Sequence, residues 1–125
     1  EMRVVFDHCM KPRIRDALAG ADAFTTWAAG MTRLADETRG CVKLSGLVTE
    51  ADDGWTLDDI GPFARLVLYV FGADRVMWGS DWPVCRLQAE YGDWHDMAQA
   101  LTGHLSDAER AQVFGGTAAR FYRLD

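Results

Sequence analysis

The sequence predicts an α/β fold built on a parallel sheet, and three observations carry that prediction. Short β-branched or aromatic runs at residues 3–7 (RVVFD), 41–44 (CVKL) and 75–78 (RVMW) open 38 and 34 residues apart. Amphipathic helical stretches fill both gaps, so each connection is a crossover and successive strands run the same way. Glu1 leads almost at once into the first run, with neither Met at position 1 nor a polar lead-in. Three strands cannot close a barrel, which needs eight and about 250 residues. The choice is therefore a small open α/β sheet or the last three βα units of a (β/α)8 barrel plus C-terminal helices. The abrupt opening favours the second, with residues 1–125 forming the C-terminal part of one domain.

Each element has its own signal. The run at residues 3–7 ends in polar residues and then Lys11-Pro12, which predicts a strand followed by a loop. Phe24, Trp27, Ala28, Met31, Leu34 and Ala35 repeat with the spacing of one helical face, with Asp22 as the cap and Gly40 as the stop. Thr56-x-x-Asp59 reads as a capping box and Pro62 as a helix-opening proline, ahead of an apolar face of Phe63, Leu66, Val67, Val70 and Phe71 that stops at Gly72. A further helix is expected over residues 91–105, with Trp94, Met97, Ala98 and Leu101 inward. Ser106-x-x-Glu109 opens another, and Gly115-Gly116 are expected to break it before a last segment carrying Ala118, Phe121 and Tyr122.

Composition narrows the function classes. A chain with 49% apolar and 26% charged residues is an ordinary globular protein, which argues against disorder. The net charge of −6 supplies no cationic surface for nucleic acid. No apolar run reaches the roughly 18 to 20 residues that span a bilayer. Cys9, Cys41 and Cys85 are odd in number and free of any CxxC pattern, which predicts reduced thiols in a cytoplasmic protein.

In parallel α/β folds the loops at the strand ends converge, and active sites form there. All three strand ends here are polar: Asp7-His8, then Lys43 and Ser45, then Ser80-Asp81. Asp81, inside Gly79-Ser80-Asp81-Trp82-Pro83, is the leading candidate for hydrolytic chemistry. Such a carboxylate serves as a general base or a metal ligand, or simply caps a loop; Trp82 gives it an apolar wall. His8 can polarise a carbonyl, bind a metal or position a water, or merely satisfy a backbone carbonyl. Lys43 and Ser45 share one face by the strand period of two, as a substrate clamp or as a paired interior lysine. Glu50 can reach over the same mouth. Cys9 beside His8 invites a Cys-His nucleophile, but no cationic neighbour lowers its pKa. His95 and His104 are expected on the helix after the third strand, at the surface.

Four stretches together resemble the amidohydrolase-2 family of metal-dependent TIM-barrel hydrolases, in particular its sugar-lactonase branch of L-fuconolactonase-like and L-rhamnono-lactonase-like proteins. They are Val5-Phe6-Asp7-His8-x-x-Lys11-Pro12, the run Val42 to Ala51, Phe71-Gly72-x-Asp74 through Trp82-Pro83-Val84, and Ala118-x-Arg120-Phe121-Tyr122. The resemblance implies that the three strands are the sixth, seventh and eighth of the barrel. It makes Asp81 the water-activating aspartate, able also to touch a metal, and His8 the histidine near the substrate carbonyl and a second metal candidate. From their places at the same mouth, Lys43, Ser45, Glu50 and Trp82 are expected to bind substrate. The resemblance implies a small-molecule lactone as substrate and one divalent ion, zinc first, although members of the branch also work without a tightly held metal. The family's first-strand His-x-His pair has no counterpart in these residues. Two other readings stand beside lactone hydrolysis: non-oxidative decarboxylation on the same barrel, and a non-catalytic fragment that self-associates or pairs with its N-terminal half.

Overall fold

The computed structural model describes residues 2–124. Its sheet has three parallel strands in sequence order, β1 (Val5–Phe6), β2 (Cys41–Leu44) and β3 (Val76–Trp78). Val5 pairs with Cys41 and Phe6 with Val42; Val42, Lys43 and Leu44 then pair with Val76, Met77 and Trp78. Val42, Leu44 and Val76 are fully buried. The parallel α/β architecture expected from the spacing is therefore present.

Two long helices, α2 (Ala23–Glu37) and α3 (Leu57–Phe71), pack on one another, and α3 also covers β2. Phe24, Trp27 and Phe63 join them through ring centroids 5.0 to 5.8 Å apart. Phe6 meets Phe71 edge-on at 6.1 Å and so anchors β1 to α3. One guanidinium ties the helix ends together: Arg75 donates to the carbonyls of Phe71, Thr38 and Ala35, each at 3.1 Å. These are carbonyls at or next to the C-terminal ends of two helices, where intrahelical partners run out and a cation is favourable. Both capping boxes are formed, Thr56 with Asp59 and Ser106 with Glu109.

Several local expectations need correction. The first strand is shorter than residues 3–7, because the chain leaves the ladder at Asp7. The segment after it contains a one-turn helix, α1 (Ile14–Leu18). Asp22 stands at the cap position of α2, yet its carboxylate accepts no capping bond. Gly40 does not stop that helix, which ends at Glu37; its absent Cβ makes room for Phe6, whose ring would lie 2.6 Å away. Pro62 lies inside α3 and does not open it, because the capping box starts the helix at Leu57. The proline removes one donor near the helix start, facing the exposed Asp58. α4 (Tyr91–Leu101) is followed by an exposed turn that holds His104. Gly115-Gly116 do not break the last helix: a π-helical turn over Gln112–Gly116 joins α5 (Asp107–Ala111) to α6 (Thr117–Tyr122). Gly116 leaves space there for the Gln112 amide, 2.9 Å from where a Cβ would lie. Among the described residues, no helix is long and apolar enough to cross a membrane.

The exit from β1 has the least common backbone in the molecule. His8, Cys9, Met10 and Lys11 all have left-handed φ, at 48°, 51°, 59° and 52°. None is glycine, and left-handed geometry costs an L-residue about 1–2 kcal/mol. The surroundings hold the turn in place. Cys9 is fully buried, its thiol donates to the Lys43 carbonyl at 3.2 Å, and its own carbonyl accepts from the Trp27 indole at 2.8 Å. The Lys11 N–H closes the turn on the His8 carbonyl at 2.8 Å.

Met10 carries this backbone with a half-exposed side chain, so strain there can be separated from packing. Met10→Gly should raise the denaturation midpoint by the equivalent of about 0.5–1 kcal/mol, and Met10→Val should lower it, since β-branched residues tolerate positive φ poorly. Equilibrium denaturant unfolding of the pair measures the sign directly.

Candidate active site

Three strand ends converge through specific backbone contacts. The Gly79 N–H donates to the Leu44 carbonyl at 3.1 Å, which carries the β2–β3 ladder one residue past Trp78. The Gly79 carbonyl accepts from the buried Trp94 indole at 2.9 Å. A Cβ at Gly79 would meet the Ser45 Cβ at 3.2 Å, so glycine lets the strand ends approach. Beyond this anchor Asp81 turns into left-handed geometry at φ 54°, which Asp accepts more readily than most residues. Its carbonyl is fixed by the Cys85 N–H at 2.8 Å.

The side chains then meet in one chain of contacts. Asp81 Oδ1 lies 3.5 Å from His8 Nε2, and its side chain is 14% exposed. The same Nε2 lies 3.4 Å from Asp7 Oδ2. On the other side of the ring, His8 Nδ1 is 2.8 Å from Ser45 Oγ. Asp7 in turn holds Lys43, with Oδ1 3.3 Å from Nζ. Burial pulls the Lys43 ammonium down, but Asp7 and the nearby Tyr122 phenol outweigh it and raise its pKa above the ordinary value. Lys43 is therefore charged at neutral pH. The mouth carries two carboxylates and one ammonium around an imidazole.

Sequence reasoning placed Asp81, His8, Ser45 and Lys43 together, and the geometry does the same. Ser45 is 1% exposed, and its hydroxyl meets His8. Glu50 pairs with Lys11 at 3.6 Å, outside the Asp81–His8–Asp7 cluster. Trp82 is 61% exposed beside Asp81. His95 is half-buried, stacked on Tyr91 and edge-on to Trp78. Cys9 points away from the mouth, and burial pushes its thiol up to about 12, which removes the Cys-His nucleophile. Two contributors were not singled out from sequence. Asp7 bridges His8 and Lys43, a role its position next to His8 only hints at. Gly46, at φ 68°, makes room for the imidazole: a Cβ there would lie 2.7 Å from His8 Cγ.

The connectivity Ser45–His8–Asp81 is that of an acyl-transfer triad, but a serine only 1% exposed is not presented to a substrate carbonyl. Asp81, with its side chain 14% exposed, keeps some access to the mouth. A catalytic zinc needs three protein ligands at about 2 Å. Among the described residues no three His, Cys, Asp or Glu converge in that way, so these side chains alone do not fit a metal site.

Two measurements probe this packing. Gly46→Ala should destabilise the protein by about 2–3 kcal/mol, through positive-φ strain plus the clash with His8, and displace the imidazole. A crystal structure and a melting curve of that variant read both. Cys9 should resist a thiol-specific reagent at pH 8 in the native protein and react once denaturant is added. Because its folded pKa is raised, its contribution to stability is complete below the ordinary thiol range and declines as the pH climbs from there towards 12.

An amidohydrolase family model (Amidohydro_2) matches residues 1–124. L-fucono-1,5-lactonase of Burkholderia ambifaria is 41% identical over 128 residues, covering 99% of this chain and 42% of that protein. A solved amidohydrolase from Burkholderia multivorans with bound HEPES superposes with a TM-score of 0.93 at 39% identity, over 97% of this chain and 44% of that one. A second structure of an amidohydrolase from that organism, with bound zinc, gives a TM-score of 0.89 at 40% identity and the same coverage. The chain thus spans less than half the length of the relatives it matches. Over essentially all of its length, this chain belongs to the amidohydrolase family.

Proposed function

We propose that this chain is the C-terminal part of a single (β/α)8 barrel domain, its strands the sixth to eighth, and that it carries the water-activating end of a lactone hydrolase. The observation that carries this reading is the Asp81–His8 contact at 3.5 Å, formed at a shielded but accessible strand end. The substrate is a sugar-acid lactone, as suggested by the 41% identity to L-fucono-1,5-lactonase.

Asp81 is the only one of the clustered carboxylates that is both largely shielded and free of a lysine partner. An ionised carboxylate only accepts, which is what a general base for water has to do. Water gives Asp81 a proton as its oxygen attacks the lactone carbonyl carbon. The imidazole of His8 donates towards the carbonyl oxygen as negative charge develops there. The ring C–O bond then breaks, and the departing ring oxygen takes the proton back from Asp81, which leaves the open hydroxy acid and a regenerated carboxylate. Asp7 and Lys43 offer an acceptor and a donor for sugar hydroxyls, and Trp82 a flat apolar face for the ring. Glu50 stands further out with Lys11 and bounds the mouth. No step depends on a metal; the zinc of the solved relative would need ligands beyond these residues.

The test is Asp81→Asn in the full-length protein with L-fucono-1,5-lactone as substrate. General-base help is worth about 10² to 10⁴ in rate, so kcat should fall by that factor while KM changes little. Near wild-type turnover in the variant would remove Asp81 from the role of base.

A further inference from the structure

We propose that Ser45 is a positioning residue whose hydroxyl donates to His8 Nδ1 and thereby holds the imidazole as its Nε2–H tautomer. Nε2 faces two carboxylates, Asp7 at 3.4 Å and Asp81 at 3.5 Å. Ionised carboxylates only accept hydrogen bonds, so the nitrogen between them carries the proton. In a neutral ring Nδ1 is then a bare acceptor, and among the described residues Ser45 Oγ lies against it at 2.8 Å. Of these two partners only the serine has a proton to give.

Ser45 is built to keep that role. It is 1% exposed, so its hydroxyl is shielded from water on its own side of the contact. Gly79 packs against its Cβ from the next strand, and Gly46 leaves the space the ring fills. His8 itself is held by its left-handed backbone, which turns the ring back over the end of β2. Ring plane, ring orientation and proton position are thus set by three strand ends together. A fixed Nε2–H makes His8 a hydrogen-bond donor in the neutral state and leaves proton acceptance to Asp81. It also separates His8 from a ligand role through Nε2, since a metal-bound imidazole nitrogen carries no proton.

The inference rests on the proposed role of Asp81 for its kinetic consequence, while the tautomer can be read without it. Long-range ¹H–¹⁵N spectra of the full-length protein at pH 8 report which ring nitrogen is protonated, with the His8 signals identified by their loss in His8→Gln. The expected result is Nε2–H alone, with Nδ1 shifted by its hydrogen bond. In Ser45→Ala the Nδ1 resonance should move to the unbonded position, and kcat should fall about tenfold, the worth of one hydrogen bond, with KM within about twofold. Ser45→Thr, which keeps the hydroxyl, should preserve the wild-type Nδ1 shift. An Nδ1–H tautomer in the wild type overturns the proposal, as does a Ser45→Ala protein with an unmoved Nδ1 resonance. If the protein opens no lactone at all, the proposed reaction fails and the spectra still decide the role of Ser45.

Discussion

The constraint on which the site depends is the reversal of the chain after Phe6. Four successive left-handed residues, none of them glycine, take the backbone out of β1 and bring His8 over the end of β2. Such a run is sustained only where packing over-determines it. Here Cys9 acts as a buried peg between the Lys43 carbonyl and the Trp27 indole, which links the turn to both β2 and α2. If the turn relaxed to a right-handed path, His8 would lose Ser45 and Asp81 together. The stability of the α2–α3 layer is therefore spent in part on the geometry of one imidazole.

The remaining contacts follow from that placement. β2 and β3 bring Ser45 and Asp81 to opposite edges of the same ring, and Trp94 fixes the backbone just before Asp81. Two glycines, Gly46 and Gly79, matter here for what they lack, since a side chain at either would push strand ends apart or displace the imidazole. Lys43 balances Asp7 and keeps the local charge from becoming wholly negative. Asp81 and His8 are thus held at the ends of different strands, each by its own backbone contacts.

Much of this was legible in the sequence, for identifiable reasons. The β-branched runs and helical repeats depend on local periodicity, and the sheet order and both capping boxes follow from them. Asp81 was legible because a polar residue ends a buried strand between glycine and proline. The burial of Ser45 was not, because a serine at a strand end is written the same way whether it faces solvent or a histidine 37 residues away. The left-handed turn was hidden for a related reason: without glycine in residues 8–11, no local signal marks positive φ, and tertiary packing imposes it. Gly115-Gly116 misled in the opposite sense, since a π turn accommodated what propensity alone would have broken.

The sheet order is the same as the chain order, so no strand from elsewhere is threaded between β1, β2 and β3. His8, Ser45 and Asp81 lie within 74 consecutive residues. A single genetic crossover outside that stretch moves the histidine, its serine support and the aspartate as one cassette. The loops around that stretch can vary in length without parting the His8–Ser45 and His8–Asp81 contacts.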